Sequence, residues 1–186
     1  MQRTNIIELK PNKKQKKILQ ECMAYWAGFF DGEGTIGVWS SAPKKNYNYN
    51  RLLIIIRAVS TDEFILKEFV SEMSNDKVCK VKKTKSRGDN QRDYFQVSWG
   101  SKKGIDILKK LLPYLRIKKE RAKLAIALHN LILQQKVNKD IGKRGFQSLT
   151  QSQLSERQEY VAKIKKLNLR GKKTSLLGGD CYAIVS

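Results

Sequence analysis

The segment with the clearest chemical potential is Tyr25-Trp26-Ala27-Gly28-Phe29-Phe30-Asp31-Gly32-Glu33-Gly34, in which two acids follow an apolar, glycine-containing run. Ile18, Leu19, Cys22, Trp26, Phe29 and Phe30 recur at three- and four-residue spacing, which predicts a helix over residues 15–31 that stops at Gly32 and Gly34. Asp31 and Glu33 then lie at the negative end of the helix macrodipole, where a carboxylate is disfavoured by roughly 0.3–1 kcal/mol unless something positive arrives. A divalent cation is one such partner, because carboxylate and main-chain carbonyl oxygens form the ligand set that Mg²⁺ or Ca²⁺ prefers. Opposite phosphates, such a cation activates water and stabilises a leaving oxygen. The competing reading is a Gly-rich acidic turn without catalytic meaning. Gly28 and Gly32 each cost about 1 kcal/mol relative to Ala inside a helix. A helix that keeps them needs close approach to another helix, with Ala27 and Gly28 offering a flat patch.

The elements around this segment follow from hydrophobic pattern. Residues 35–41 alternate as a strand, 42–50 form a loop or hairpin rich in Lys, Asn and Tyr, and 51–59 (RLLIIIRAV) are the strongest strand. A helix over 61–73 has a cap-like start at Ser60-Thr61-Asp62-Glu63. A strand over 77–85, a turn at 86–91 and a returning strand over 93–99 come next, the last placing Phe95, Val97 and Trp99 on one face and Tyr94, Gln96 and Ser98 on the other. Ser101 is expected to cap a helix reaching Leu112, Pro113 marks a break, and helices are expected over 116–133 and 150–167. Residues 1–17 read as a basic arm, 18–168 as one domain and 169–186 as a tail. The α-β-β-α-β-β-α order predicts an α+β fold: an antiparallel, curved sheet with helices on one face, followed by C-terminal helices.

The other sheet face is left for a partner, and the charge says which kind. The 186 residues carry 38 Lys+Arg against 17 Asp+Glu, a formal net charge of +21, for which nucleic acid is the commonest counter-charge. A β-ribbon fits the DNA major groove. The expected DNA-facing residues are Arg51, Arg57, Lys80, Lys82, Gln96 and Ser98, with Trp39, the loop residues Lys44, Lys45, Asn46, Tyr47, Asn48, Tyr49 and Asn50, and Arg87 in the turn at 86–91. His129 is the single histidine, and Cys22, Cys79 and Cys181 are not spaced as zinc-ligand pairs, which excludes zinc-finger binding and nucleases built on paired histidines. An odd, irregularly spaced cysteine set fits a reducing, intracellular compartment. No apolar stretch in residues 1–17 reads as a secretory signal, and the run 23–30 is too short to span a bilayer.

Residues 26–34 (WAGFFDGEG) resemble the motif that names the LAGLIDADG homing endonucleases, and Leu112-Pro113-Tyr114-Leu115-Arg116-Ile117-Lys118-Lys119 resembles a second segment of that family's single-motif members. With the strand and helix order, the likeness covers most of residues 18–133. The resemblance implies a site-specific double-strand DNA endonuclease. A chain with one motif must pair with a second copy, giving a symmetric interface through Ala27, Gly28 and Asp31. It implies Glu33 as the metal-binding acid with the Gly32 carbonyl as second ligand, Mg²⁺ as cofactor (Ca²⁺ or Mn²⁺ as substitutes), and Lys118 beside the cleaved phosphate. Two positions depart from the pattern: Glu33 replaces the commoner Asp, and Ser60 stands near the place of a water-positioning Gln. The resemblance further implies an organellar setting, intron homing, and an alternative role as an intron RNA-splicing maturase or a cleavage-inactive DNA binder.

Overall fold

The computed structural model describes residues 13–42, 49–74, 79–85, 92–135, 138–139 and 147–169. Helix α1 (Lys13–Glu33) runs without a break into β1 (Gly34–Ser41), followed by β2 (Arg51–Ser60), α2 (Glu63–Met73), β3 (Lys82–Thr84), β4 (Tyr94–Trp99) and α3 (Ser101–Leu111). Helix α4 (Lys119–Gln134), the short pair β5 (Asn138–Lys139) and β6 (Gln147–Ser148), and α5 (Gln151–Asn168) complete the order. The four strands β1 to β4 form one antiparallel sheet ordered β1-β2-β4-β3. The α+β class and the α-β-β-α-β-β-α order expected from hydrophobic pattern are both present. Among the described residues no helix is long and apolar enough to cross a membrane.

The sheet buries one face under the helices because its strands alternate. Ile36, Ile54, Ile56, Ala58, Val97 and Trp99 are all buried, and the register pairs Ile36 with Ile56 and Ile56 with Trp99 on the same face. Phe69 of α2 is the hub of the layer above, with ring centroids 5.5 Å from Trp26, 5.3 Å from Phe29 and 5.7 Å from Trp99. Aromatic contacts at these spacings add about 0.5–1.5 kcal/mol each beyond area burial. Gly34 lies where a Cβ would overlap the Phe30 ring and carbonyl, so the helix-to-strand transition accepts no side chain there.

Several boundaries differ from expectation for local reasons. Ile18 and Leu19 are 56% and 54% exposed, so the buried face of α1 begins only at Cys22; the first turns overhang the sheet. Asp62 is the N-cap of α2, accepting from the Phe64 N–H at 2.8 Å. Ser101 does not cap α3. Gly100 holds that position, while the Ser101 hydroxyl accepts from the Ile54 N–H at 3.1 Å and so ties α3 to the middle of β2. Strand β3 is only three residues, paired to β4 alone, whereas a strand over 77–85 was expected. Helix α4 starts three residues later than expected, at Lys119, because residues 116–118 have another task.

Helix α5 begins with a full capping box, Thr150 and Gln153 bonding each other's backbone N–H. Its far end reaches the edge strand: the Asn168 amide donates to the Ile36 carbonyl at 3.0 Å and accepts from Arg121 of α4 at 2.9 Å. One outward carbonyl on the free edge of β1 is thereby paired.

Candidate active site and nucleic-acid interface

The last turn of α1 is held from three sides. The Asp31 carboxylate is nearly buried and accepts three backbone N–H bonds, from Arg116 at 2.7 Å, Ile117 at 3.1 Å and Lys118 at 2.8 Å. These donors immediately precede α4, which has no capping side chain of its own. The acid that sits badly at the negative end of α1 is therefore seated at the positive end of α4. Asp31 was expected either to cap or to bond across a dimer interface, and within the chain its oxygens do the first, capping the start of α4.

Lys118 completes the arrangement. Its side chain is 2% exposed, and its ammonium donates to the Asp31 carbonyl and, at 3.4 Å, to the Gly32 carbonyl. A positive group thus meets the orphan carbonyls at the C-terminus of α1. Lys118 was expected beside the cleaved phosphate; within the chain its ammonium is turned to these two carbonyls, where it fixes the turn carrying Glu33. Ser60, expected near the place of a water-positioning residue, has a local task within the chain. It shares the helix-side face of β2 with Ala58, and its hydroxyl accepts from the Asp62 N–H at 3.1 Å, forming the turn into α2.

Glu33 is left as the exposed acid of this turn, immediately before Gly34, whose register partner is Ala58. Gly28 and Gly32 are exposed, and a Cβ at either would meet nothing within 4 Å. Together with exposed Ala24 and Tyr25 they leave one side of α1 bare within the chain. Ala27 was expected on that side. It is fully buried in the chain's own core, one helical step round, and so cannot belong to an external interface.

The face of the sheet away from the helices carries Thr35, Gly37, Trp39 and Ser41 from β1 and Arg51, Leu53, Ile55, Arg57 and Val59 from β2. Across it, Arg57 donates through Nε to the Ser98 hydroxyl at 3.3 Å, and Gln96 lies between Val59 and Lys82. Arg51, Arg57, Lys82, Gln96, Ser98 and Trp39 therefore share one surface, as expected. Lys80 is exposed just before β3. Tyr49 is a correction: Arg157 of α5 stands 5.7 Å from its ring centroid. Tyr49 and Asn50 line a cleft of about 670 Å³ between α5 and the ends of β1 and β2, on the helix side. Lys44, Lys45, Asn46, Tyr47, Asn48 and Arg87 lie outside the described residues. Thr35, on the open face, was missed, and the two-residue alternation of its strand was the available signal; Tyr94 lies on the face expected for it.

The fold compares with solved structures over nearly its whole length. It matches the homing endonuclease I-CvuI, solved in complex with its target in the presence of Ca, with a TM-score of 0.61 over 87% of this chain and 90% of that one, at 22% identity. The chain has the LAGLIDADG homing endonuclease fold. The archaeal intron-encoded homing endonuclease I-Vdi141I, solved with DNA, matches at a TM-score of 0.60 over 83% and 89% of the two chains, at 12% identity. The homing endonuclease I-TnaI matches at 0.52 over 78% and 92%, at 18% identity. No protein-family model and no curated protein sequence matches the chain.

Glu33 lies two residues before Thr35, whose register partner on the open face is Arg57, so the acid and the basic surface share one end of the sheet. Whether that acid fits a metal is a question of donors. Among the described residues no group of three or more His, Cys, Asp or Glu could hold one. At this turn one chain offers the exposed Glu33 carboxylate and the Gly32 carbonyl, which the long 3.4 Å bond from Lys118 leaves with a second lone pair. That hard-oxygen pair fits Mg²⁺, which retains several waters and is bound through one or two carboxylates plus substrate phosphates.

Proposed function

We propose that this chain is a site-specific double-strand DNA endonuclease of the LAGLIDADG homing type that works as a homodimer. The observation that carries the reading is an exposed Glu33 on a rigidly braced helix end, beside a basic open sheet in a fold shared with DNA-bound homing endonucleases. Two copies of α1, packed through the bare side around Gly28, bring two Glu33 carboxylates to one duplex, one for each strand. Glu33 and the Gly32 carbonyl would hold Mg²⁺, which supplies Lewis acidity toward the phosphate and a more acidic water. Asp31 and Lys118 fix the turn so that the carboxylate does not have to be ordered during the reaction. Arg51, Arg57 and Lys82 hold phosphates or base edges while the strands read the major groove.

The test is to incubate the purified protein and Mg²⁺ with a large random duplex library and sequence all new ends. One recurring pseudo-palindromic site with staggered ends is the expected result. Specific duplex retention without new ends would replace the nuclease reading with a binding one.

Two substitutions probe separate parts of this surface. Gly28→Leu places bulk on the bare side of α1 and is expected to weaken dimerisation by about 1–3 kcal/mol, roughly 5- to 150-fold in the dissociation constant. Sedimentation equilibrium showing an unchanged dimer would remove that side of α1 from the interface. Lys82→Ala is expected to weaken DNA binding at every sequence and to lower the salt-dependence slope by about 0.9, because one fewer phosphate is neutralised. Equal slopes for the two proteins would show that Lys82 touches no phosphate.

A further inference from the structure

The open sheet face is not uniformly polar. Along β2 its outward residues are Arg51, Leu53, Ile55, Arg57 and Val59, so cationic side chains bracket an aliphatic middle. Leu53 is 40% exposed, and its register partner Trp39 is 58% exposed. The indole does not stand upright. Its Nε1 lies 3.5 Å from where a Cβ would be at Gly37, so the ring leans back along β1 over a position without a side chain. Gly37 is in turn the register partner of Ile55. Trp39, Leu53 and Ile55 therefore form one apolar shelf, level with the sheet and flanked along β2 by Arg51 and Arg57.

Contiguous exposed apolar surface of this kind marks a binding surface more often than it marks nothing. The helix-side core has no need of it, since the opposite face of the same strands is already closed. The surrounding cations select a polyanion as occupant, and within the major groove one base-edge group is apolar: the C5 methyl of thymine. Leu53 and Ile55 are two residues apart, about 6.6 Å along the strand, which matches about two base-pair steps of 3.4 Å.

We propose that the Trp39–Leu53–Ile55 shelf reads thymine methyl groups, so that each half-site carries thymine-bearing pairs at two neighbouring positions in its arm. Trp39 is five residues beyond Gly34, about 16 Å along β1, or roughly five base pairs outward from the cut. This inference rests on the reading of the chain as a duplex DNA binder and adds the chemistry by which it chooses sequence.

The experiment replaces each thymine of the selected target, one at a time, with deoxyuridine, which keeps every base-pair hydrogen bond and lacks only the methyl. Dissociation constants are measured at one salt concentration for the wild type and for the variants Leu53→Ser, at an exposed site, and Ile55→Thr, at a half-buried one. The expected result is a loss of about fourfold per methyl, the change for one methyl-sized apolar group, at the arm positions in the wild type. The variants should bind the thymine and deoxyuridine targets equally. A target bound equally well with deoxyuridine throughout would overturn the shelf and leave duplex binding standing. Undiminished deoxyuridine sensitivity in both variants would assign the methyl contact elsewhere and overturn it too. Variants that change self-association but not DNA selectivity would make the shelf a protein contact instead. Failure of the wild type to bind any duplex would remove the parent reading and this one together.

Discussion

The Glu33→Gln protein is expected to bind its target duplex at least as tightly as the wild type and to leave it uncut. Glutamine keeps the length and shape of the side chain at an exposed position at the end of α1, so folding and docking are undisturbed. It removes the carboxylate that a divalent cation requires, and it removes one negative charge close to phosphates, which favours binding slightly. The rate of cleavage with Mg²⁺ should fall by more than about 100-fold, because even groups one step removed from a metal ligand typically cost 10- to 100-fold when lost. Single-turnover cleavage and equilibrium binding, measured on the same duplex, check both halves. Cleavage within about tenfold of wild type would mean that the acid at this turn does not hold the metal.

The Asp31→Ala protein is expected to lose stability rather than chemistry alone. Three buried N–H groups, of Arg116, Ile117 and Lys118, would lose their acceptor together, beside a lysine that remains buried. Removing one member of a buried charged, hydrogen-bonded set costs about 3–5 kcal/mol. For a chain of this size that corresponds to a fall in melting temperature of about 6–20 °C. Asp31→Asn retains the shape but only one accepting oxygen, and should fall between. Lys118→Met should separate the two functions of the cluster: an apolar stem fills the space, yet the carbonyls of Asp31 and Gly32 lose their donor, so cleavage drops more than stability. A melting temperature for Asp31→Ala within about 2 °C of wild type would show that the seat on α4 is not what braces the site.

How much of this was legible beforehand depends on whether the signal was local. The alternation of Phe95, Val97 and Trp99 identified the buried face of β4, and two strands on either side of a helix gave the layer order. Asp31 and Glu33 were both conspicuous as carboxylates at the negative end of a helix, and it was the family resemblance that chose Glu33 between them. Asp31 looked equally misplaced, but the group that relieves it is the start of α4, far along the chain. The sequence placed that helix start at Arg116, so the three N–H groups that seat Asp31 were hidden inside an expected helix. Ile18 and Leu19 show the converse limit: periodicity reveals that a helix side is apolar, not that anything covers it. Ser101 has cap chemistry but meets the backbone of β2, since a hydroxyl bonds whichever N–H the fold brings near. In the run RLLIIIRAV the outward Arg51 and Arg57 were legible, but the aliphatic residues between them show no alternation, and only the pairing with β1 shows Leu53 and Ile55 facing out.

The central claim is that each chain of a symmetric pair supplies one acid and cuts one strand, and mixed dimers test it most directly. Wild-type and Glu33→Gln chains would carry different affinity tags, be co-expressed, and be purified through both tags in turn. The resulting one-to-one dimer would then be given its target with Mg²⁺. The account predicts a nicked duplex, with one strand broken per binding event and the other intact. Double-strand breaks at the wild-type rate would show that Glu33 of one chain serves both strands or neither, and would contradict the assignment of one acid to one strand.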